Sequence, residues 1–467
     1  MSHGLPTQPA ESFIKRRRSL GARLDGPALL FSGVARPLNY PANVLPFRPD
    51  SHFLYLTGAW IEHAAVLIDG ERDVLFMPPF DPDELIWHGP SPSWDEFRAA
   101  TGVAEIRDIA ELGRSLPERT ATIPAVDATT RFRQGRLLDR SWADPGSPVE
   151  LGDRDAALAD ALIDARMIHD HAAVEMLRAA AEATVAAHLA GMAATKPGLR
   201  ESDIRAAMEA ELLARDMTTS YGSIVTVHGE ILHSRGYDNP IAGGDLLLAD
   251  VGAAHCGWAG DVTRTWPVSG KFSATQRAIY DIVLASQLAA IEQVRPGVRY
   301  RDVHLAASLV IARGLVDEGI LKGDPETLVE RGAHAMFFVH GIGHLLGLDV
   351  HDMEDLGDRA GYAPGRVRSK QFGLCYLRLD RDLQPGMAVT IEPGFYQVPA
   401  LLAAGSELTA PFDADGTLNR EALAKFADVR GIRIEDDVLV TAGGHEVLTK
   451  ALVKRAELVE AAVGGRS

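Results

Sequence analysis

The chain has 467 residues, enough for two or three domains, and 46% of it is hydrophobic, so a large core can be buried. Asp and Glu total 64 against 47 Lys and Arg, a formal net charge of −17, which argues against nucleic acid and anionic lipid as partners. Two cysteines, Cys256 and Cys375, exclude a disulfide framework and fit reduced thiols in a cytoplasmic protein.

Near the N-terminus, Lys15-Arg16-Arg17-Arg18 runs into Ser19-Leu20-Gly21-Ala22-Arg23 rather than an apolar segment, so no secretory signal is expected. No run of about 18 apolar residues occurs, so no membrane span is expected either. Residues 28–80 read as short strands between Pro, Gly and Asp turns. Ala64-Ala65-Val66-Leu67-Ile68 and Val74-Leu75-Phe76-Met77 flank Asp69-Gly70, a hairpin signal. Residues 94–142 mix short helical and strand patterns, and Asp144-Pro145-Gly146-Ser147-Pro148 is a breaker cluster. From Leu151 to Ala194 the pattern is helical and Ala-rich. A domain boundary is expected there, giving residues 1–165 and 166–467.

The second part contains a repeat. Pro197-Gly198-Leu199-Arg200-Glu201-Ser202-Asp203-Ile204 is echoed by Pro296-Gly297-Val298-Arg299-Tyr300-Arg301-Asp302-Val303. Each copy follows one helical pattern, precedes another (Ala206 to Asp216; His304 to Glu318) and leads into strand-like segments. A duplicated α+β unit is the expectation, with a site at the junction of its halves. Ser202 or Asp203, and Asp302, are expected to cap the helices that follow. Ser273-Ala274-Thr275-Gln276 reads as a capping box.

Four later segments carry chemistry. Leu246-Leu247-Leu248-Ala249-Asp250 ends a buried-strand pattern in a carboxylate, which is costly without compensation. An aspartate capping a turn is the plain alternative for Asp250 taken alone. Asp261 opens Asp261-Val262-Thr263-Arg264-Thr265-Trp266, with Gly257 and Gly260 allowing a reversal, so an antiparallel pair is expected to set Asp250 beside Asp261. His340-Gly341-Ile342-Gly343-His344 and His351 group three histidines with glycines that permit close backbone approach. Their spacing is not that of a mononuclear zinc-protease helix. Glu392 ends Val389-Thr390-Ile391 at a Pro-Gly turn. In Gly431-Ile432-Arg433-Ile434-Glu435, period two puts Arg433 and Glu435 on one strand face, where Arg433 is the ordinary partner for Glu435. Four carboxylates sharing a buried region would repel one another, and two divalent cations remove that difficulty. An oxygen-rich shell with one imidazole favours manganese, magnesium or cobalt over structural zinc. Two such ions activate water and polarise a carbonyl or phosphoryl oxygen.

From about Leu29 to Val453 these motifs resemble the pita-bread metallopeptidases of the aminopeptidase P and prolidase branch. The resemblance includes an N-terminal domain carrying Phe47-Arg48, Phe53-Leu54-Tyr55-Leu56-Thr57-Gly58 and Ile86-Trp87-His88-Gly89. It implies an α+β fold, a duplicated pita-bread catalytic domain with a smaller α/β N-terminal domain. It implies an Xaa-Pro exopeptidase with two metal ions, manganese before cobalt, zinc or magnesium. Asp250 would chelate one ion, Asp261 and Glu435 bridge both, and His344 and Glu392 hold the second, with Glu392 also the proton shuttle. His233, His340 and His351 would contact substrate, Arg433 would support the ligand strand, and Tyr396 would line the site. Arg378 falls where prolidases grip a dipeptide's C-terminal carboxylate, which leans the expectation toward Xaa-Pro dipeptides over longer peptides; an ordinary surface arginine is the alternative. The stretch from Tyr221 to His233 is shorter than the family's usual loop, which leaves Tyr221, the proline-pocket floor and His228 open. A homodimer or homotetramer is implied. A metal-free binding module, a creatinase-like hydrolase and phosphotriester hydrolysis are the competing readings. The complete set of five ligands opposes the first two.

Overall fold

The computed structural model describes residues 4–142 and 150–465, so the Asp144–Pro148 breaker cluster lies outside the described residues. The chain divides into two compact units, Met1–Ala172 and Ala173–Ser467. Both mix helices with sheets, and the fold class is α+β. Among the described residues no helix is long and apolar enough to cross a membrane.

The first unit holds a five-stranded sheet of β1 (Ala28–Phe31), β2 (Ala65–Asp69), β3 (Arg72–Met77), β4 (Glu105–Asp108) and β5 (Ala121–Thr122), in the order β4-β3-β2-β1-β5. The expected hairpin is present: Asp69 pairs with Arg72, and Gly70 takes φ +61 at the turn. Leu29, Leu67, Val74 and Phe76 fill the core on one sheet face. The basic N-terminal run belongs to the helix Ala10–Gly21 and is structural. Arg17 is buried, bonded to Asp73 and to the carbonyls of Leu56 and Thr101, while Arg16 pairs with Asp170.

The second unit repeats one plan. The helix His171–Ala194 leads through Gly198 (φ +90) into Glu201–Leu213, and Ala274–Gln293 leads through Gly297 (φ +83) into Tyr300–Asp317. Gly198 N–H donates to Ile241 O at 2.9 Å and Gly297 N–H to Leu383 O at 2.8 Å. The interval from Ile241 to Asp250 equals that from Leu383 to Glu392, so the duplication itself makes these two carboxylates counterparts. The expected caps are displaced by a few residues. Arg200 and Arg299 occupy the N-cap positions, and Asp203 reaches back from inside its helix to the Arg200 N–H. The Ser273 capping box is formed as expected.

The strands of this unit are short. β6 (Thr218–Thr219), β7 (Ile224–Thr226), β8 (Leu246–Asp250), β9 (Ala253–His255), β10 (Trp258–Ala259) and β11 (Thr263–Pro267) serve the first half. β12 (Ala388–Ile391), β13 (Gly394–Tyr396), β14 (Gly431–Arg433), β15 (Asp436–Thr441) and β16 (Gly444–Val447) serve the second. The sheets β11-β8-β7 and β12-β15-β16 supply the two ends that carry carboxylates.

Two strand expectations need correction. Asp250 pairs with Thr263, not with Asp261, because the hairpin β9–β10 is inserted between β8 and β11. Asp261 sits in the link before β11, where a Cβ on Gly252 would lie 1.8 Å from the Gly260 carbonyl oxygen. Glu435 is not mid-strand: β14 ends at Arg433 and β15 begins at Asp436, so the period-two face shared with Arg433 is broken between them.

Candidate active site

Backbone pairing brings the acidic strand ends and one histidine together. The segment through His344 is not helical. It lies alongside β12: Leu345 bridges Val389, Thr390 N–H donates to His344 O at 3.0 Å, and Glu392 N–H donates to Ile342 O at 2.8 Å. This contact needs Gly343, whose φ is +154 and whose hypothetical Cβ would meet Thr390 O at 2.2 Å. His344 is thereby set beside Glu392. From the other side, Glu435 N–H donates to Thr263 O at 3.0 Å, and the Thr263 hydroxyl donates to the Glu435 carboxylate at 2.7 Å. Asp261 N–H is received by the Asp437 carboxylate at 3.2 Å.

Asp261, His344 and Glu435 offer ligand atoms within 4.8 Å of one another, and all three are buried. His344 Nε2 lies 3.3 Å from Asp261 and 3.7 Å from Glu392. Its Nδ1 is taken by Leu345 O at 2.9 Å, which fixes the tautomer and leaves Nε2 as the donor atom toward the carboxylates. Asp250 and Asp261 share one donor, the Tyr221 hydroxyl, which bonds Asp250 and, at 2.7 Å, Asp261.

The electrostatics call for cations. Burial, with the charges of Asp261, Glu392 and Asp250, pushes the Glu435 carboxyl well above its usual range. Burial, with Asp261 and Asp250, pushes Glu392 up to about 7. Asp250 is raised chiefly by burial, against the pull of Arg433. Burial alone would lower His344, but Asp261 and Glu392 outweigh it and hold the imidazole above its ordinary value. A hard divalent ion would relieve all of these at once, and four carboxylates with one imidazole are donors that suit it. The residues present therefore fit a metal centre.

Around this cluster opens a cavity of about 680 Å³, lined in part by His233, His340, His351, Arg378 and Arg433. Burial lowers the imidazoles of His340 to about 3 and His351 to about 2, and lowers His233 as well, so all three are neutral near pH 7. His340 accepts or donates at Nε2 with the Tyr396 hydroxyl, 2.8 Å away. Arg433 is buried and fully engaged: it reaches Asp250 at 2.5 Å, Tyr396 at 3.0 Å and the Thr263 hydroxyl at 2.8 Å. Its ion-pair partner is thus Asp250 rather than Glu435.

Tyr221 and Tyr396 also differ from expectation. Neither is among the cavity-lining residues. Tyr396 is fully buried behind His340 and Arg433, and Tyr221 turns its hydroxyl onto two carboxylates. Both position other side chains. Tyr221→Phe is expected to weaken metal affinity by roughly ten- to a hundredfold, the usual cost of losing a group that orients ligands. Competition with a chelator measures it, and wild-type affinity would mean the hydroxyl orients nothing. His228, open on sequence, sits with Glu230 and Arg430 away from the cavity lining. Arg378 lines the cavity, but its guanidinium is held by Glu354, a residue that sequence reasoning passed over. Thr263 and Asp437 were equally invisible there.

Comparison with known proteins adds three findings. The profile of Metallopeptidase family M24 matches residues 175–442, and that of the aminopeptidase P N-terminal domain matches residues 13–125. The chain is 32% identical to the Xaa-Pro aminopeptidase of Haemophilus influenzae across 97% of each chain. It is 30% identical to human Xaa-Pro dipeptidase, covering 90% of this chain and 85% of that protein. The solved structure of Pseudomonas aeruginosa aminopeptidase PepP superposes with a TM-score of 0.80 at 31% identity, over 98% of each chain.

Proposed function

We propose, from the premise that this chain belongs to metallopeptidase family M24, that it hydrolyses Xaa-Pro bonds at the N-termini of small peptides. The carrying observation is that Asp261, His344 and Glu435 converge beside Glu392 at the floor of the cavity that three neutral histidines line. The names of its relatives, an Xaa-Pro aminopeptidase and an Xaa-Pro dipeptidase, support the substrate class. Proline's nitrogen carries no hydrogen, so a peptidase that grips that N–H fails on it and a dedicated pocket is required.

Asp250, Asp261, His344, Glu392 and Glu435 would hold two divalent cations, with manganese the first choice and cobalt, zinc or magnesium the alternatives. Bound there, such ions supply Lewis acidity that activates water and polarises the scissile carbonyl. Asp250, anchored by Arg433 and Tyr221, faces the substrate's amino group. Glu392 takes the proton of the attacking water and delivers it to the leaving proline nitrogen. His233, His340 and His351 are neutral and present N–H donors to the carbonyl oxygen as negative charge grows on it. Tyr396 sets the orientation of His340.

Arg378 is the residue placed to receive a C-terminal carboxylate, and it favours dipeptides over longer peptides. Arg378→Ala is expected to lower the ratio of kcat/KM for Gly-Pro over Gly-Pro-amide by about tenfold, the worth of a charge-assisted contact. An equal loss on both substrates removes the carboxylate contact and leaves the reading that longer peptides are the main substrates. Hydrolysis of Gly-Pro against Gly-Pro-Xaa, with and without manganese, tests the activity itself. Exposed Ile86 and Trp87 in the first unit support assembly into a homodimer or homotetramer. Cytoplasmic residence rests on the two free cysteines.

A further inference from the structure

Three arginines line the cavity, and they are held differently. Arg433 has Asp250, Tyr396 and Thr263 around it. Arg368 bonds Asp358 and the carbonyls of Cys375 and Leu377. Arg378 is engaged by a single side chain: Nη1 donates to both carboxylate oxygens of Glu354, at 2.8 and 2.6 Å. Both members line the cavity, and their side chains are 37% and 38% exposed, so the pair is open to solvent and to a ligand. Glu354 begins a single short turn, Glu354–Leu356, after Met353 at φ +61, and its Oε2 is also 3.6 Å from His351 Nδ1. A half-exposed ion pair of this kind adds at most about 1 kcal/mol to stability, which makes it a weak brace. It does present to the cavity an arginine already carrying a carboxylate.

We infer that Glu354 is a built-in competitor for the substrate's carboxylate at Arg378, occupying the guanidinium in the free enzyme and displaced by the C-terminus of a bound Xaa-Pro dipeptide. Glu354 thereby determines how strongly the enzyme prefers dipeptides to longer peptides. The inference rests on the reading of Arg378 given above. The exchange is carboxylate for carboxylate, so the dipeptide gains from Arg378 only the difference between its own contact and that of Glu354. A longer peptide or an amide leaves the internal pair closed. His351 offers the displaced carboxylate a second resting place.

The test uses the metal-loaded enzyme and two substrates, Gly-Pro and Gly-Pro-amide, that differ in the terminal carboxylate. In Glu354→Ala the ratio of kcat/KM for dipeptide over amide is expected to rise about three- to fivefold, the factor that a pair worth up to about 1 kcal/mol carries. The gain should appear in KM for the dipeptide. Glu354→Gln, which keeps an acceptor without the charge, should fall between. Loss of the His351 contact alters both substrates alike and cancels in the ratio. In an Arg378→Ala background, Glu354→Ala should leave the ratio where Arg378→Ala alone put it. If Glu354→Ala leaves the ratio unmoved or lowers it while Arg378→Ala lowers it too, the competitor is overturned and the carboxylate contact stands. If Arg378→Ala does not change the ratio, the Arg378 reading fails and the competitor fails with it.

Discussion

Glu435→Gln is expected to remove metal from the protein and, in the same variant, to make the metal-free form more stable. Glu435 is buried, accepts a hydrogen bond from Thr263 and faces the charges of Asp261, Glu392 and Asp250. Without cations that arrangement is repulsive, and an amide in place of the carboxylate relieves it. The gain at pH 8 should be on the order of 1–3 kcal/mol, since each unit of raised carboxyl pKa corresponds to about 1.4 kcal/mol. With metal the balance reverses. Losing a side chain that merely orients ligands costs about ten- to a hundredfold, and losing a ligand shared between two ions should exceed that, so kcat/KM should fall by at least about a hundredfold. Metal content by elemental analysis and the melting temperature after chelation read the two halves of the prediction. A variant that keeps full metal content and activity, or whose metal-free form melts lower than wild type, would mean Glu435 is not a ligand under charge strain.

The second large effect is on pH. Glu392 is pushed up to about 7, Asp250 is raised, and Glu435 and Asp437 are raised well above their usual values, all chiefly by burial. In the metal-free protein the native state therefore retains protons that the unfolded chain releases above about pH 4.3, and stability falls as pH rises through the folded-state values. His344, also raised, acts in the same direction. The buried neutral histidines oppose this: His188, His304 and His340 are lowered to about 3, His334 to about 4 and His351 to about 2. Their opposition operates only below about pH 6.5, where an unfolded imidazole takes up a proton. From roughly pH 6.5 to 8.5 the carboxylates decide the slope, and the chelated protein should lose stability steadily. Manganese at a hundred times its dissociation constant should restore about 2.7 kcal/mol and flatten the profile. Melting curves of chelated and reloaded protein across that interval measure both. A flat or rising profile without metal would show that the carboxylates do not share one buried region.

Much of the fold and the site was legible in the chain because a few signals are local. The Pro-Gly octapeptides at Pro197 and Pro296 announced the duplication, and the apolar runs ending in Asp250 and Glu392 announced expensive carboxylates. The Ser273 box and the Asp69-Gly70 turn depend on neighbours within a few residues. What failed was pairing across the fold. Period two predicts that Arg433 and Glu435 share a face only if the strand continues, and it stops between them, so Arg433 goes to Asp250. The insertion of β9–β10 likewise moved Asp261 out of register with Asp250. Tyr221, Tyr396 and Thr263 act through single hydroxyls on partners far along the chain, and a hydroxyl carries no periodicity or cost that marks it beforehand. Glu354 followed His351 closely enough to be noticed, but its meaning depends on Arg378, which only the folded cavity brings to it.

The halves of the second unit also exchange charge. Arg433, from the second half, is buried against Asp250 of the first, while Arg264, from the first, is buried against Asp436 of the second at 2.7 Å. Each half is the other's counter-ion, and sliding one past the other by a single residue would leave two guanidinium groups without partners in the interior. Several kcal/mol per stranded ion is a steep penalty for a misalignment so small. The crossed pairs therefore act as a registry lock on an architecture whose near-symmetry would otherwise tolerate more than one alignment.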